Sequence, residues 1–175
     1  MNIVDIILKF TGVDYSYDTS KYTNYFNNVV KTLKDKAPKL LFNGTIYRVH
    51  QNLTYSNKQF NARENPIKDT NGNYTHWSKR EDIYNHIFSD AHPKCSVFTP
   101  FILIEADCKN GLDRNKIFED VLEKCPRDRY YNEEEIIYPL NVKDIKKVWY
   151  IKNEEVRKDK SKWEDITNKV ILKEV

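Results

Sequence analysis

Apolar residues recur at helical spacing in the first forty positions and then break into short runs separated by polar turns. Ile3, Ile6, Ile7 and Phe10 share one face of a short helix over residues 1–12, with Gly12 as its stop. Tyr22, Tyr25, Phe26, Val29, Val30 and Leu33 repeat at steps of three and four, which predicts a second helix from Lys21 to about Lys36. Thr19 or Ser20 supplies its cap, and Pro38 ends it. The pattern then shifts to short apolar runs. Leu40-Leu41-Phe42 leads to Asn43-Gly44, a turn signal, and Thr45 to His50 reads as a strand. Residues 51–73 are polar and rich in Asn, predicting a long loop of the kind that tends to carry function. Tyr74 to Ser78 reads as a strand, and Lys79 to about Ser89 as a helix burying Ile83 and Ile87. Val97-Phe98 with Phe101 to Ala106 makes the next strand region. A helix from Asn115 to Lys124 follows, with Asp113 as its cap. Strands are expected at Ile136 to Leu140, at Asp144 to Ile151 and in the tail from Lys169 to Val175. Helices first, then many short strands with few helices between them, is an α+β pattern with non-alternating topology.

Composition narrows this picture. The 175 residues fit one domain with a sizeable core, a helical part at 1–38 followed by the main body at 40–175. With 39% hydrophobic and 31% charged residues, the chain is globular and not disordered. Only 4 residues are Gly, and neither a G-x-G-x-x-G nor a Walker pattern occurs, so a bound nucleotide must be held by side chains and strand backbone. The net charge of +3 is spread among mixed signs and does not by itself point to nucleic acid. Cys95, Cys108 and Cys125 form an odd set without C-x-x-C spacing, which argues against a disulfide framework and a zinc site. His50 and His76 lack partners at metal-ligand spacing, so no metal is expected. Free thiols, no signal-type leader and no apolar run of spanning length lead to a cytoplasmic reading with no membrane partner.

The chemistry is concentrated in Asn132-Glu133-Glu134-Glu135-Ile136-Ile137-Tyr138-Pro139-Leu140. Three carboxylates in front of an apolar strand cost free energy unless solvated, paired or used. On an extended backbone Glu133 and Glu135 point to one side and Glu134 to the other. Two carboxylates converging on one spot suit a cationic or electron-deficient partner. Upstream, Arg48 lies mid-strand, where a guanidinium fork can meet a phosphate or simply sit at an edge. Ser78 closes a strand, where its hydroxyl can cap the next helix or orient a carboxylate.

Tyr47-Arg48, Trp77-Ser78 and Glu133-Glu134-Glu135-Ile136-Ile137, in that order, resemble the motifs of the mono-ADP-ribosyltransferase superfamily in its Arg / Ser-Thr-Ser / Glu-x-Glu branch. The resemblance covers residues 40–150, and the Glu-x-Glu motif is its most specific part. Lys79 and Arg80 depart from it, standing where the family has Thr and Ser. The resemblance implies an ADP-ribosyltransferase-like split β-sandwich of two small sheets with N-terminal helices. It also implies NAD as co-substrate and a macromolecular acceptor, either a protein arginine or a nucleic acid. Such a protein would be a bacterial toxin or defence protein, with a possible antitoxin partner, or a phage host-modifying protein. Glu135 would be the catalytic carboxylate facing the developing ribose cation, Glu133 its acceptor-side partner, and Ser78 the residue that orients Glu135. Arg48 would bind an NAD phosphate or ribose, and the backbone at Val49 or His50 the nicotinamide amide. Phe60 would cover the nicotinamide, and Arg63 would meet a phosphate. Tyr130 and Tyr131, in the loop before the Glu cluster, would stack on the acceptor. Two alternatives stand beside this: an NAD glycohydrolase of the same fold, and a non-enzymatic RNA- or protein-binding module.

Overall fold

The long amphipathic helix forms as its spacing predicts. In the computed structural model α1 spans Ser20–Lys36 and turns Phe26 fully inward, with Tyr22, Tyr25, Val29, Val30 and Leu33 packed around the same cluster. The structure describes residues 20–51, 55–56, 59–60, 72–87, 100–122 and 134–171, together with Ile3, Ile6 and Ile7. Ile3, Ile6 and Ile7 are helical, and Ile6 and Ile7 are buried against the α1 cluster. Pro38 does not merely stop α1; it opens a 3-10 turn, Pro38–Leu40, that feeds the first strand.

Among the described residues eight strands follow: β1 Leu41–Gln51, β2 Tyr55–Ser56, β3 Gln59–Phe60, β4 Tyr74–Ser78, β5 Phe101–Asp113, β6 Glu135–Pro139, β7 Ile145–Ile151 and β8 Glu164–Asp165. The helices between and after them are short: α2 Ile83–Ile87, α3 Arg114–Leu122, α4 Glu154–Arg157 and α5 Thr167–Ile171. The protein is thus mixed α and β. Six strands form one antiparallel sheet in the order β1-β4-β6-β5-β7-β8, and β2 pairs with β3 in a small ribbon.

An additional pairing gives this sheet its shape. β1 also runs antiparallel to β5 from Leu41↔Leu112 to Gln51↔Phe101. β1, β4, β6 and β5 therefore close a circuit, each hydrogen-bonded to the next. Ile46, Trp77, Ile104, Ala106, Ile136 and Tyr138, drawn from all four strands, fill it. Two outer clusters cover the sheet. Phe26, Tyr74, Leu112, Phe118 and Ile137 join α1 and α3 to it, and Ile83, Tyr84, Phe101, Leu103 and Trp163 seal the other end. β6 reads as a nearly continuous apolar run because its alternate residues face the inner and the outer cluster.

Several expectations change in the folded chain. Asn43-Gly44 is not a hairpin turn but continues β1, opposite a bulge in β5. Register shifts between Phe42 and Asn43, opposite a left-handed Asn110 at φ 62° whose N–H donates to Asn43 Oδ1 at 3.0 Å. Residues tolerant of positive φ serve bulges as well as turns, so local sequence does not separate the two. The strand expected to end at Ala106 runs on to Asp113, because β1 pairs with it throughout. The helix after Ser78 begins only at Ile83. The tail strand expected from Lys169 is overturned where it is described, since Thr167–Ile171 is helical. Within the expected loop at 51–73, Tyr55↔Phe60 and Ser56↔Gln59 pair. Among the described residues no helix is long and apolar enough to cross a membrane.

Candidate active site at the junction of β1, β4 and β6

Strand pairing brings two of the expected site residues side by side. Ser78, the last residue of β4, lies directly opposite Glu135, the first of β6. On its other edge Ser78 is in register with Tyr47 of β1. Opposed residues of antiparallel strands project to the same side, so Tyr47, Ser78 and Glu135 form a row across three strands. Arg48 follows Tyr47 and turns the other way, with its guanidinium carbon 5.9 Å from the centre of the Trp77 ring and only 8% of the residue exposed. Val49 and His50 lie opposite Leu103 and Ile102 of β5, and Val49 packs on the outer cluster. Phe60 pairs through its backbone with Tyr55. Arg63, Tyr130, Tyr131 and Glu133 lie outside the described residues.

Glu135 is 3% exposed. A carboxylate this deep requires charged or hydrogen-bonding neighbours. One comes from β4: His76, two residues before Ser78 and therefore on the same face, brings Nδ1 into hydrogen-bond contact with Oε1 of Glu135. The other comes from α3: Arg114, 1% exposed, places Nε 3.5 Å from Oε2. The Arg114 guanidinium in turn stacks over Phe118, one turn further along the helix, at 4.7 Å. Glu135 is thus held from two elements, by the solvent-side His76 and the interior Arg114.

A second buried carboxylate sits next to the first. Asp113, wholly buried, ends β5 and caps α3 by accepting the Lys116 N–H at 3.2 Å, as its position before the helical run predicts. Its Oδ2 also takes Lys79 Nζ at 3.3 Å and lies 3.7 Å from Lys116 Nζ. Lys79 reaches back to Glu134 as well, through its backbone N–H to the Glu134 carbonyl at 3.2 Å and through Nζ to Oε2 at 3.8 Å. Arg80 forks onto Asp82 with two bonds of 3.0 Å. The two cations that depart from the Ser-Thr-Ser pattern therefore meet acids of the fold.

The alternation expected of the Glu cluster stops short. β6 begins at Glu135, and Glu134 is left-handed at φ 48°. The extended backbone that would align Glu133 with Glu135 is therefore interrupted between them. Glu134, expected to stand aside, anchors Lys79 instead. Ser78 Oγ accepts the Arg80 N–H at 2.9 Å, which closes the turn ahead of α2 without capping the helix itself. Burial first, then the negative charges of Glu105 and Glu81, raise the Tyr47 hydroxyl above the usual tyrosine range, so it stays protonated at neutral pH.

Sequence reading missed His76 as a partner of Glu135, and it missed Arg114 altogether. The first was readable in principle, since residues two apart on a strand share a face and Ser78 was already singled out. The second was not, because only the pairing of β5 with β6, Leu112↔Ile137 and Asp113↔Ile136, swings the start of α3 beneath Glu135. An open concavity of about 390 Å³ lined by Lys39, Leu40, Lys116, Glu119 and Asp120 contains none of Tyr47, Ser78 and Glu135. It is therefore not the place where the chemistry gathers. Comparison with known proteins gives no match, whether to a family model, to a curated protein or to a solved structure.

Proposed function

We propose that the protein is an NAD-dependent mono-ADP-ribosyltransferase with an ADP-ribosyltransferase-like core, acting on a protein or nucleic-acid acceptor. The observation that carries this reading is the direct pairing of Ser78 with Glu135 at the point where β4 also meets the Arg48-bearing strand. Three short motifs scattered over ninety residues of sequence become neighbours there.

The chemistry follows from charge. Breaking the bond between ribose C1′ and the nicotinamide nitrogen sends the electron pair to nicotinamide, which leaves neutral, and positive charge grows on the ribose. A fixed carboxylate beside that charge lowers the barrier. Glu135 supplies it, held by His76 and Arg114 so that little reorientation is needed during reaction. The acceptor lone pair then bonds to C1′, and the acceptor proton passes to a base, the role the motif gives to Glu133. Arg48, stacked on Trp77, serves by fixing the junction of β1 with β4.

The test is transfer of label from NAD to macromolecules in a cell lysate, with protease and nuclease digestion assigning the acceptor class. Glu135→Gln keeps the side-chain volume and one acceptor oxygen. It is expected to lower transfer by at least about 100-fold, with an unchanged circular dichroism spectrum. Full activity in this variant removes Glu135 from the mechanism. Nicotinamide release without labelled macromolecule turns the assignment to an NAD glycohydrolase.

A further inference from the structure

Resting on the transferase reading, we infer that Arg114 and His76 are positioning residues of the active site, jointly setting the orientation of the Glu135 carboxylate. Neither belongs to the motifs that suggested the function. Each oxygen of Glu135 has its own holder, Oε1 on His76 from β4 and Oε2 on Arg114 from α3. The two differ in depth. Arg114 is 1% exposed and backed by the Phe118 ring, so it lies on the interior side. The His76 side chain is 16% exposed and lies on the solvent side.

The alternative is that Arg114 merely glues the start of α3 to β6. α3 already has other anchors, in the Asp113 cap and in Ile117 and Phe118 within the outer cluster. A hydrophobic residue at position 114 would serve docking equally well, since a buried ion pair is seldom more stabilising than good apolar packing. A guanidinium there does one thing an apolar residue cannot: it gives the facing carboxylate oxygen a directional polar partner. Among the described residues, Glu135 meets His76 from β4 and Arg114 from α3, while Asp113 is met by Lys79 and Lys116.

The experiment measures nicotinamide release with the full chain at neutral pH, for wild type, Arg114→Lys and Arg114→Met. Each is repeated in a His76→Gln background, which separates the contribution of one holder from that of the other. Arg114→Met is expected to lower kcat by about 100-fold with KM for NAD changed by less than about threefold. Arg114→Lys restores charge without the fork and is expected to recover about tenfold of the loss. His76→Gln alone is expected to lower kcat by about tenfold at similar KM. If Arg114→Met does not fold, Arg114→Lys against wild type carries the test, with a kcat lower by about tenfold expected. Arg114 variants with wild-type kcat overturn the inference while leaving the transferase reading intact. Absence of NAD turnover by the wild-type protein overturns the transferase reading itself, and this assignment with it.

Discussion

Glu135 takes its character from neighbours that are remote in sequence. His76 lies 59 residues away along the chain, and Arg114 arrives from a different element altogether. Cys108 shows the same dependence in a group with no assigned role. Burial among Ile136 and Tyr138, opposed by the Gly111 N–H and assisted by the Asp144 charge, pushes its thiol up to about 12. Thiolate is the reactive form, so Cys108 is expected to resist iodoacetamide at pH 8 in the folded protein and to react once urea unfolds it. Peptide mapping by mass spectrometry reads the outcome at this one residue, and rapid native alkylation of Cys108 contradicts the packing. The residue identities at the site were legible from the sequence as a motif. Which side chains touch Glu135 was not, because burial and contact belong to the assembled strands.

At the scale of elements, β5 is the hub. One edge is covered by β1 throughout, and the other is shared, with β7 on residues 101–106 and β6 on residues 112–113. The bulge at Asn110 lies between those two territories, and a bulge adds the bend and twist that such a change of partner requires. Gly111, next to it, is where backbone and side chains approach most closely. A Cβ there would stand 2.5 Å from Cys108 Sγ and 2.6 Å from Ile136 Cγ2. Gly111→Ala is therefore expected to destabilise the fold by about 1–3 kcal/mol, read as a lowered urea midpoint at unchanged m-value. An unaffected midpoint means that the β5–β6 junction is looser than described. Helix α1, β4 and the Asp113 cap matched their sequence signals because each depends on local periodicity or one short-range hydrogen bond. The length of β5 and the extended course of Asn43-Gly44 did not, since each is set by a strand some sixty residues away.

For the molecule as a whole, charge pairing makes stability depend on pH in a definite direction. Asp165 ties the C-terminal end together. Its Oδ2 meets Lys147 of β7 at 2.5 Å, and its Oδ1 accepts the Thr167 N–H at 3.0 Å at the start of α5. These bonds, Lys147 first and Thr167 next, lower its carboxyl to about 2. A folded pKa below the unfolded one stabilises the protein above pH 4 and loses that contribution as pH falls from about 4 to about 2. With 38% of the side chain exposed, screening holds the gain below about 1 kcal/mol. Asp165→Asn is expected to lower the urea midpoint slightly at pH 7 and to converge with wild type as pH falls toward 2 and below, with the gap shrinking in high salt. A gap that widens on acidification contradicts the sign. By itself the sequence determined what local physics can encode: the amphipathic α1, the strands, the α+β class, and the order of three short polar motifs along the chain. Only the tertiary structure decided that β1, β4, β6 and β5 close on one another and that Arg48 packs on Trp77. It alone decided that Lys79 and Arg80 meet acids and that Arg114 lies beneath Glu135. Those outcomes rest on pairings between strands far apart in the chain, whose register depends on the packing of the whole and not on any single segment.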